Sequence, residues 1–141
     1  MAETFPFKLV TPIGIAFEDE VESVTAMNPL GEFGVLAEHI NYITSLVPCV
    51  LTVKLPGSQY RFFVVPDGLA EVKDGIMTVL ASEAIAAELV ERDDAAGEVA
   101  AAEERIGHMS FYEVEYEGAE RKLQLARARV RAAELKAPHH Y

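Results

Sequence analysis

The chain has 141 residues, half of them hydrophobic, which suits one ordinary domain or two small ones and argues against disorder. Its formal charge of −11 argues against a nucleic-acid partner and against direct adsorption to anionic lipid, both of which call for a net basic surface. A single cysteine, Cys49, rules out an internal disulfide, no apolar run reaches the ~18 residues that span a bilayer, and Met1 to Phe5 lacks the basic start and apolar core of a signal peptide. The expected setting is cytosolic or cytosol-facing.

The first part of the chain reads as short strands. Phe5 to Val10 is apolar and β-prone and is broken by Thr11-Pro12-Ile13-Gly14. Ile15-Ala16-Phe17 precedes the acidic turn Glu18-Asp19-Glu20, and Val21 to Met27 is closed by Asn28-Pro29. A Gly-punctuated connection follows, Leu30 to His39, in which Gly31 and Gly34 permit positive φ or close backbone approach. Its Phe33, Val35 and Leu36 are expected to be buried, leaving Glu32, Glu38 and His39 near the surface. It reads either as a tight turn in a β-domain or as a loop presenting Glu32 and His39 to a partner. Tyr42 to Leu46 is the next strand. Val50 to Leu55 alternates, with Leu51, Val53 and Leu55 on one face, and pairs through Pro56-Gly57-Ser58 with Tyr60 to Val65. Leu69 to Val72 and Ile76 to Ala81 flank the Asp74-Gly75 hairpin turn. Many short strands at even spacing predict a sandwich or barrel. Cys49, inside an apolar run, reads as an inert core residue.

From Ser82-Glu83 onward the period changes to 3.6. Ala95, Val99, Ala102, Ile106 and Met109 form one stripe, and Tyr116, Ala119, Leu123, Ala126, Val130 and Ala133 form another. Gly107 and Ser110 mark the break, which predicts an antiparallel helical hairpin. Alanine is frequent in both seams, so at ~25 cal/mol per Å² the seam contributes few kcal/mol, and the hairpin needs a second surface, its own β-domain or a partner. If those compete, the hairpin is a switch between docked and released states. Acidic residues dominate 83–112, while Arg121, Lys122, Arg127, Arg129 and Arg131 lie in the last segment. Those basic positions read as a solvated face, as a stripe for an acidic protein, or as a phosphate holder.

No catalytic constellation emerges. His39, His108, His139 and His140 have no ligand-spaced partners, so no metal site is expected, and His139 and His140 read as a frayed tail after Pro138. There is no P-loop, dinucleotide-binding glycine pattern or nucleophile elbow.

Gly31-Glu32-Phe33-Gly34-Val35-Leu36 with His39, then Gly68-Leu69-Ala70-Glu71-Val72, Met77 to Ala81, and the run Val114 to Leu135, taken in order and spacing, resemble the epsilon subunit of the F-type rotary ATP synthase, bacterial type. The resemblance implies an α+β fold: an N-terminal ten-stranded β-sandwich over 1–86, followed by a C-terminal antiparallel two-helix hairpin over 87–141. It implies a non-catalytic central-stalk subunit, peripheral on the cytoplasmic face of the bacterial inner membrane. The sandwich would bind the gamma subunit and the membrane rotor ring of c subunits, with Glu32 and His39 at the ring. The hairpin would either fold against the sandwich or extend along gamma into the catalytic head and inhibit ATP hydrolysis. Arg121, Lys122, Arg127, Arg129 and Arg131 would then meet the alpha and beta catalytic subunits.

Some relatives hold the hairpin down with ATP, through an Asp-x-x-Arg-Ala run opening the first helix and two arginines four apart in the second. The corresponding run here is Val90-Glu91-Arg92-Asp93-Asp94-Ala95, with Asp94 at the arginine position, and the two later positions are Leu125 and Arg129. Glu91, Arg92 and Arg129 are thus a vestigial nucleotide site, and weak or no ATP binding is expected; no cofactor is implied. The alternative is a free-standing small-ligand or nucleotide-sensing β-sandwich with a helical lid, which a deep polar-lined pocket between sandwich and hairpin would favour.

Overall fold

A computed structural model describes residues 3–136. The expectations for His139 and His140 therefore lie outside the described residues. The strands are β1 (Phe5–Thr11), β2 (Gly14–Val21), β3 (Ser23–Asn28), β4 (Gly31–Leu36), β5 (Tyr42–Leu46), β6 (Cys49–Leu55), β7 (Gln59–Val65), β8 (Gly68–Lys73), β9 (Ile76–Leu80) and β10 (Ile85–Ala86). A 3-10 turn over Ala87–Leu89 leads to α1 (Arg92–Gly107) and α2 (Tyr116–Lys136). The strands form two five-stranded sheets, β2-β1-β9-β8-β5 and β10-β7-β6-β3-β4. The expected ten-stranded sandwich with a helical hairpin is the observed fold.

Alternation builds the sandwich core. Phe7 and Leu9 of β1, Val24 of β3, Leu51 and Val53 of β6, and Met77 and Val79 of β9 are at most 1% exposed and face between the sheets. At the end of the sheet where β6 begins and β7 ends, outward residues are apolar too. Val50, Phe62 and Val64 join Ile85, Ala87 and Val90 in a second cluster, covered by Leu125, Ala128, Ala132 and Ala133 of α2. This is why β7 ends in an unbroken buried run, Phe63-Val64-Val65: the sheet is covered on both faces there. The helical hairpin is therefore docked on the outer face of the β10-β7-β6-β3-β4 sheet.

Several local expectations are corrected. Glu18-Asp19-Glu20 is not a turn but part of β2, an edge strand laddered to β1 from Val21 opposite Phe5 to Gly14 opposite Thr11. An edge strand that is solvated over most of its length accepts carboxylates, and Glu18 pairs with Lys8 at 3.5 Å. The tight turn lies earlier than Leu30 to His39, at Asn28 to Gly31. There the Leu30 amide donates to Asn28 Oδ1 at 2.8 Å, and Gly31 adopts φ 129°. Gly31 to Leu36 then runs as β4 against β3, so Gly34 is an ordinary strand residue and Leu36, expected inside, is 65% exposed. The helical segment starts at Arg92 rather than near Ser82, because 82–91 first supplies β10 and the 3-10 turn that close the sandwich.

Glu91 caps α1, its carboxylate accepting from the Asp93 amide at 3.0 Å. Gly107 ends α1, and Ser110 and Glu113 organise the turn that follows: the Ser110 amide donates to Glu113 Oε1 at 3.0 Å and the Tyr112 amide to Ser110 Oγ at 3.3 Å. Ala119, Leu123, Ala126 and Ala133 of the expected second stripe are buried, with Tyr116 and Val130 half-buried. The stripe that grips the sheet, Leu125, Ala128 and Ala132, was not anticipated, although its spacing of three and four is helical.

Candidate functional site

No group of three or more metal-ligating side chains occurs among the described residues, and no described helix is long and apolar enough to cross a membrane. What the fold presents is surfaces, on three sides of the molecule.

The first is β4 and the loop after it. Glu32 is exposed and lies opposite Met27 on β3. His39 is half-buried three residues past the end of β4, its Nδ1 2.8 Å from the Ile40 carbonyl and its ring 6.0 Å from that of Tyr42. Tyr42 also meets Phe33 edge-on at 6.0 Å and accepts a 3.1 Å hydrogen bond from Asn28 Nδ2. Glu32, the second residue of β4, and His39, beyond its far end, thus stand at opposite ends of the strand, and the hydrogen bonds and ring contacts of His39 go to Ile40 and Tyr42, not to Glu32. The loop adds exposed Leu36 and Ile40, at 65% and 77%. Glu38 takes a left-handed conformation, φ 65°, uncommon for a residue with a side chain.

The second surface is the outer face of the β2-β1-β9-β8-β5 sheet, which sequence reasoning missed. Val10 lies opposite both Ile15 and Leu80, and Leu80 opposite Leu69. These side chains form a row across four strands, with Ile15, Leu80 and Leu69 between 41% and 56% exposed. Ile43 and Ile76 lie on the same face at 59% and 50%. The signal was legible: β9 reads Ile-Met-Thr-Val-Leu, apolar on both faces, where a solvated face would be polar. The polar row Glu18, Lys8, Thr78 and Glu71 separates Ile76 from the apolar row, and Ile43 stands at the end of that polar row, opposite Glu71. The apolar part of this face is therefore the row itself, and an exposed apolar row of this kind marks a candidate binding surface.

The third is the hairpin. Arg127 reaches Glu103 of α1 at 3.5 Å, and Arg129 reaches Glu98 at 3.6 Å. Two of the five basic positions are therefore turned toward the hairpin's own acidic helix. Arg121 lines one surface depression with Glu117, Glu120 and Asp67, and Lys122 lines another with Arg105 and Glu98. Arg127 and Arg131 line a cleft of about 500 Å³ between α2 and the sandwich, with Glu32 among its lining residues. The positions of the expected nucleotide site do not converge. Leu125 packs in the cluster between hairpin and sheet, Glu91 is occupied as a helix cap, Arg92 is exposed, Asp94 adds a carboxylate to the first turn of α1, and Arg129 is held by Glu98. Cys49 lies buried at the cleft, and burial pushes its thiol up, offset in part by a backbone hydrogen bond from Met27.

Residues 4–87 match the family model for the ATP synthase delta/epsilon chain β-sandwich domain. An ATP synthase epsilon chain of a Bradyrhizobium species is 35% identical over 112 residues, 79% of this chain and 82% of the relative. One from Nitrobacter winogradskyi is 40% identical over 103 residues, 73% and 76% of the two chains. Among solved structures, a chain in the OSCP/F1/c-ring assembly of the Euglena gracilis mitochondrial ATP synthase superposes with TM-score 0.80 at 23% identity, over 96% of this chain and 83% of that one. A chain of the Tetrahymena thermophila mitochondrial ATP synthase central stalk and c-ring gives 0.66 at 13% identity, over 94% and 98%. At these identities the structural likeness speaks for the fold, and the sequence matches speak for the family.

Proposed function

The chain belongs to the epsilon-chain family of the ATP synthases, a non-catalytic subunit of that complex, and from that premise we propose that it couples the rotor to the catalytic head and restrains ATP hydrolysis through its hairpin. The sandwich is the anchor. Its exposed apolar row, Ile15, Val10, Leu80 and Leu69, is the surface for the gamma subunit, because it lies on a sheet face that no other described element covers. β4 and its loop, with Glu32, His39 and exposed Leu36 and Ile40, meet the rotor ring of c subunits. The subunit is then peripheral, on the cytoplasmic face of the bacterial inner membrane.

The observation that carries the regulatory part is the hairpin's dock. Alanine supplies Ala128, Ala132 and Ala133 to the contact with the sheet, and Ala119, Ala126 and Ala133 to the seam between helices. Alanines bury little area each, so the dock contributes few kcal/mol and competes with an outside partner on near-equal terms. Release would free Arg127 and Arg129 from Glu103 and Glu98 and turn them, with Arg121, Lys122 and Arg131, toward acidic surfaces of the alpha and beta subunits. ATP does not serve as the latch here, because Asp94 and Leu125 replace the arginines that would hold it.

The test is co-purification of the tagged chain with the membrane complex, comparing wild type with Leu80→Asp. Leu80 is half-exposed, so the substitution leaves the fold intact while placing a charge in the apolar row. Retention of the complex by wild type and its loss in the variant are expected. Equal retention would remove the sheet face from the account, and loss of the complex by both would remove the central-stalk assignment.

A further inference from the structure

The sheet contacts of α2 are concentrated on β6 and β7, one side of a five-stranded sheet, and a cleft of about 500 Å³ stands between α2 and the β3–β4 hairpin. That volume falls in the range of small-molecule sites. Met27, Leu30, Val47 and Val50 give it an apolar lining. Arg127 and Arg131 stand one helical turn apart and both line it, with Gln124 beside them on the same helix face. Arg131 makes no hydrogen bond or ion pair within the described residues. Arg127 has only its 3.5 Å contact to Glu103, with both side chains more than half exposed, so water screens it heavily. In a chain of formal charge −11, two weakly compensated guanidiniums against the one lining carboxylate, Glu32, leave a local excess of positive charge over the cleft.

We propose that this cleft binds a small organic monocarboxylate with an apolar body. The planar guanidinium fork matches a carboxylate with two parallel hydrogen bonds, and the lining beneath it takes an alkyl or aryl chain. Glu32 also lines the cleft, and the whole chain is acidic. Both disfavour a ligand carrying several negative charges, such as a triphosphate, far more than one carrying a single charge. The site is separate from the positions of the vestigial nucleotide site, since Leu125 and Arg129 do not line the cleft. It stands on the isolated chain and does not depend on the placement in the central stalk. Because such a ligand touches β3, β4 and β6 on one side and α2 on the other, it binds the docked hairpin and not the released one. Its presence therefore raises the docked population by mass action.

The test uses the purified full-length chain and decanoate, kept below its micelle concentration, with decanol and ATP as comparators. Backbone and arginine side-chain NMR shifts report where each binds, and hydrogen exchange reports hairpin protection. Expected are saturable shifts confined to the cleft, slower exchange in α1 and α2 at saturation, and binding weaker by roughly tenfold in Arg131→Gln, the scale of one lost charge-assisted hydrogen bond. Lys73→Gln, at the end of β8 and on the other sheet, leaves the affinity unchanged and controls for bulk charge. Equal binding of decanol would reduce the cleft to apolar adsorption and overturn the proposal. So would ATP binding in the cleft more tightly than decanoate, absence of saturation, or an Arg131→Gln variant that folds and binds as wild type does.

Discussion

Val64→Ala is the substitution that most directly separates the hairpin's dock from the sandwich's stability. Val64 is 1% exposed and lies on the outer face of β7, in the cluster with Ala128, Ala132 and Ala133, while its neighbours Phe63 and Val65 point into the sandwich. Truncation removes two carbons, about 1.6 kcal/mol of transfer free energy at ~0.8 kcal/mol each, and the unfilled space adds some tenths more. A loss of about 2 kcal/mol shifts the docked-to-released ratio about thirtyfold, since each 1.36 kcal/mol is tenfold. Hydrogen exchange read by mass spectrometry, peptide by peptide, is the assay. Amides of α1 and α2 should exchange roughly thirtyfold faster, while β1, β6 and β9 keep their protection. A parallel loss across hairpin and sandwich would show one cooperative unit, and would refute the idea of a hairpin that leaves alone.

Gly68→Ala should lower stability by about 1–3 kcal/mol, because Gly68 sits at φ 157° and an added Cβ would meet the Leu80 carbonyl at 2.7 Å; a melting curve unchanged within about 1 °C would contradict this. Cys49 should resist alkylation at neutral pH, since burial holds its thiol protonated. For an acid whose folded pKa is raised, the unfolded chain loses its proton first as pH rises. Stability is then unaffected below the unfolded thiol's pKa and falls above it. A Cys49→Ala chain should lack that alkaline component in urea titrations run across the range. Glu98→Gln and Glu103→Gln together should loosen the hairpin only slightly, by about a kcal/mol or less, because the Arg127–Glu103 pair is more than half exposed and the Arg129–Glu98 pair is still reached by water. A collapse of hairpin protection at low salt would show a stronger latch than the geometry allows.

Much of the fold was legible because β-alternation and helical period are written locally. Leu51, Val53 and the Asp74-Gly75 turn marked their strands without help. The errors arose where tertiary context decides. Glu18 to Glu20 looked like a turn because three carboxylates suit one, yet on a solvated edge strand they cost little and Lys8 answers one of them. Gly34 looked like a turn residue, but the Asn28 side chain had already made the turn three residues before β4 begins. Of the candidate site, the basic positions were legible as a group but their division was not. Which arginine faces α1 and which faces the cleft follows from how α2 is rolled on the sheet. That roll is set by Leu125, Ala128 and Ala132, a stripe masked by the stronger one beside it. The apolar outer row was missed for a similar reason: Leu69 and Leu80 are far apart in sequence and become neighbours only through the β8–β9 register.

The most direct test of the central claim is the ATP hydrolysis rate of the membrane complex assembled with the full chain or with one ending at Glu88. The account predicts that both assemble and that the truncated form hydrolyses ATP faster, because the sandwich anchors and the hairpin restrains. Equal rates from two fully assembled complexes would contradict it.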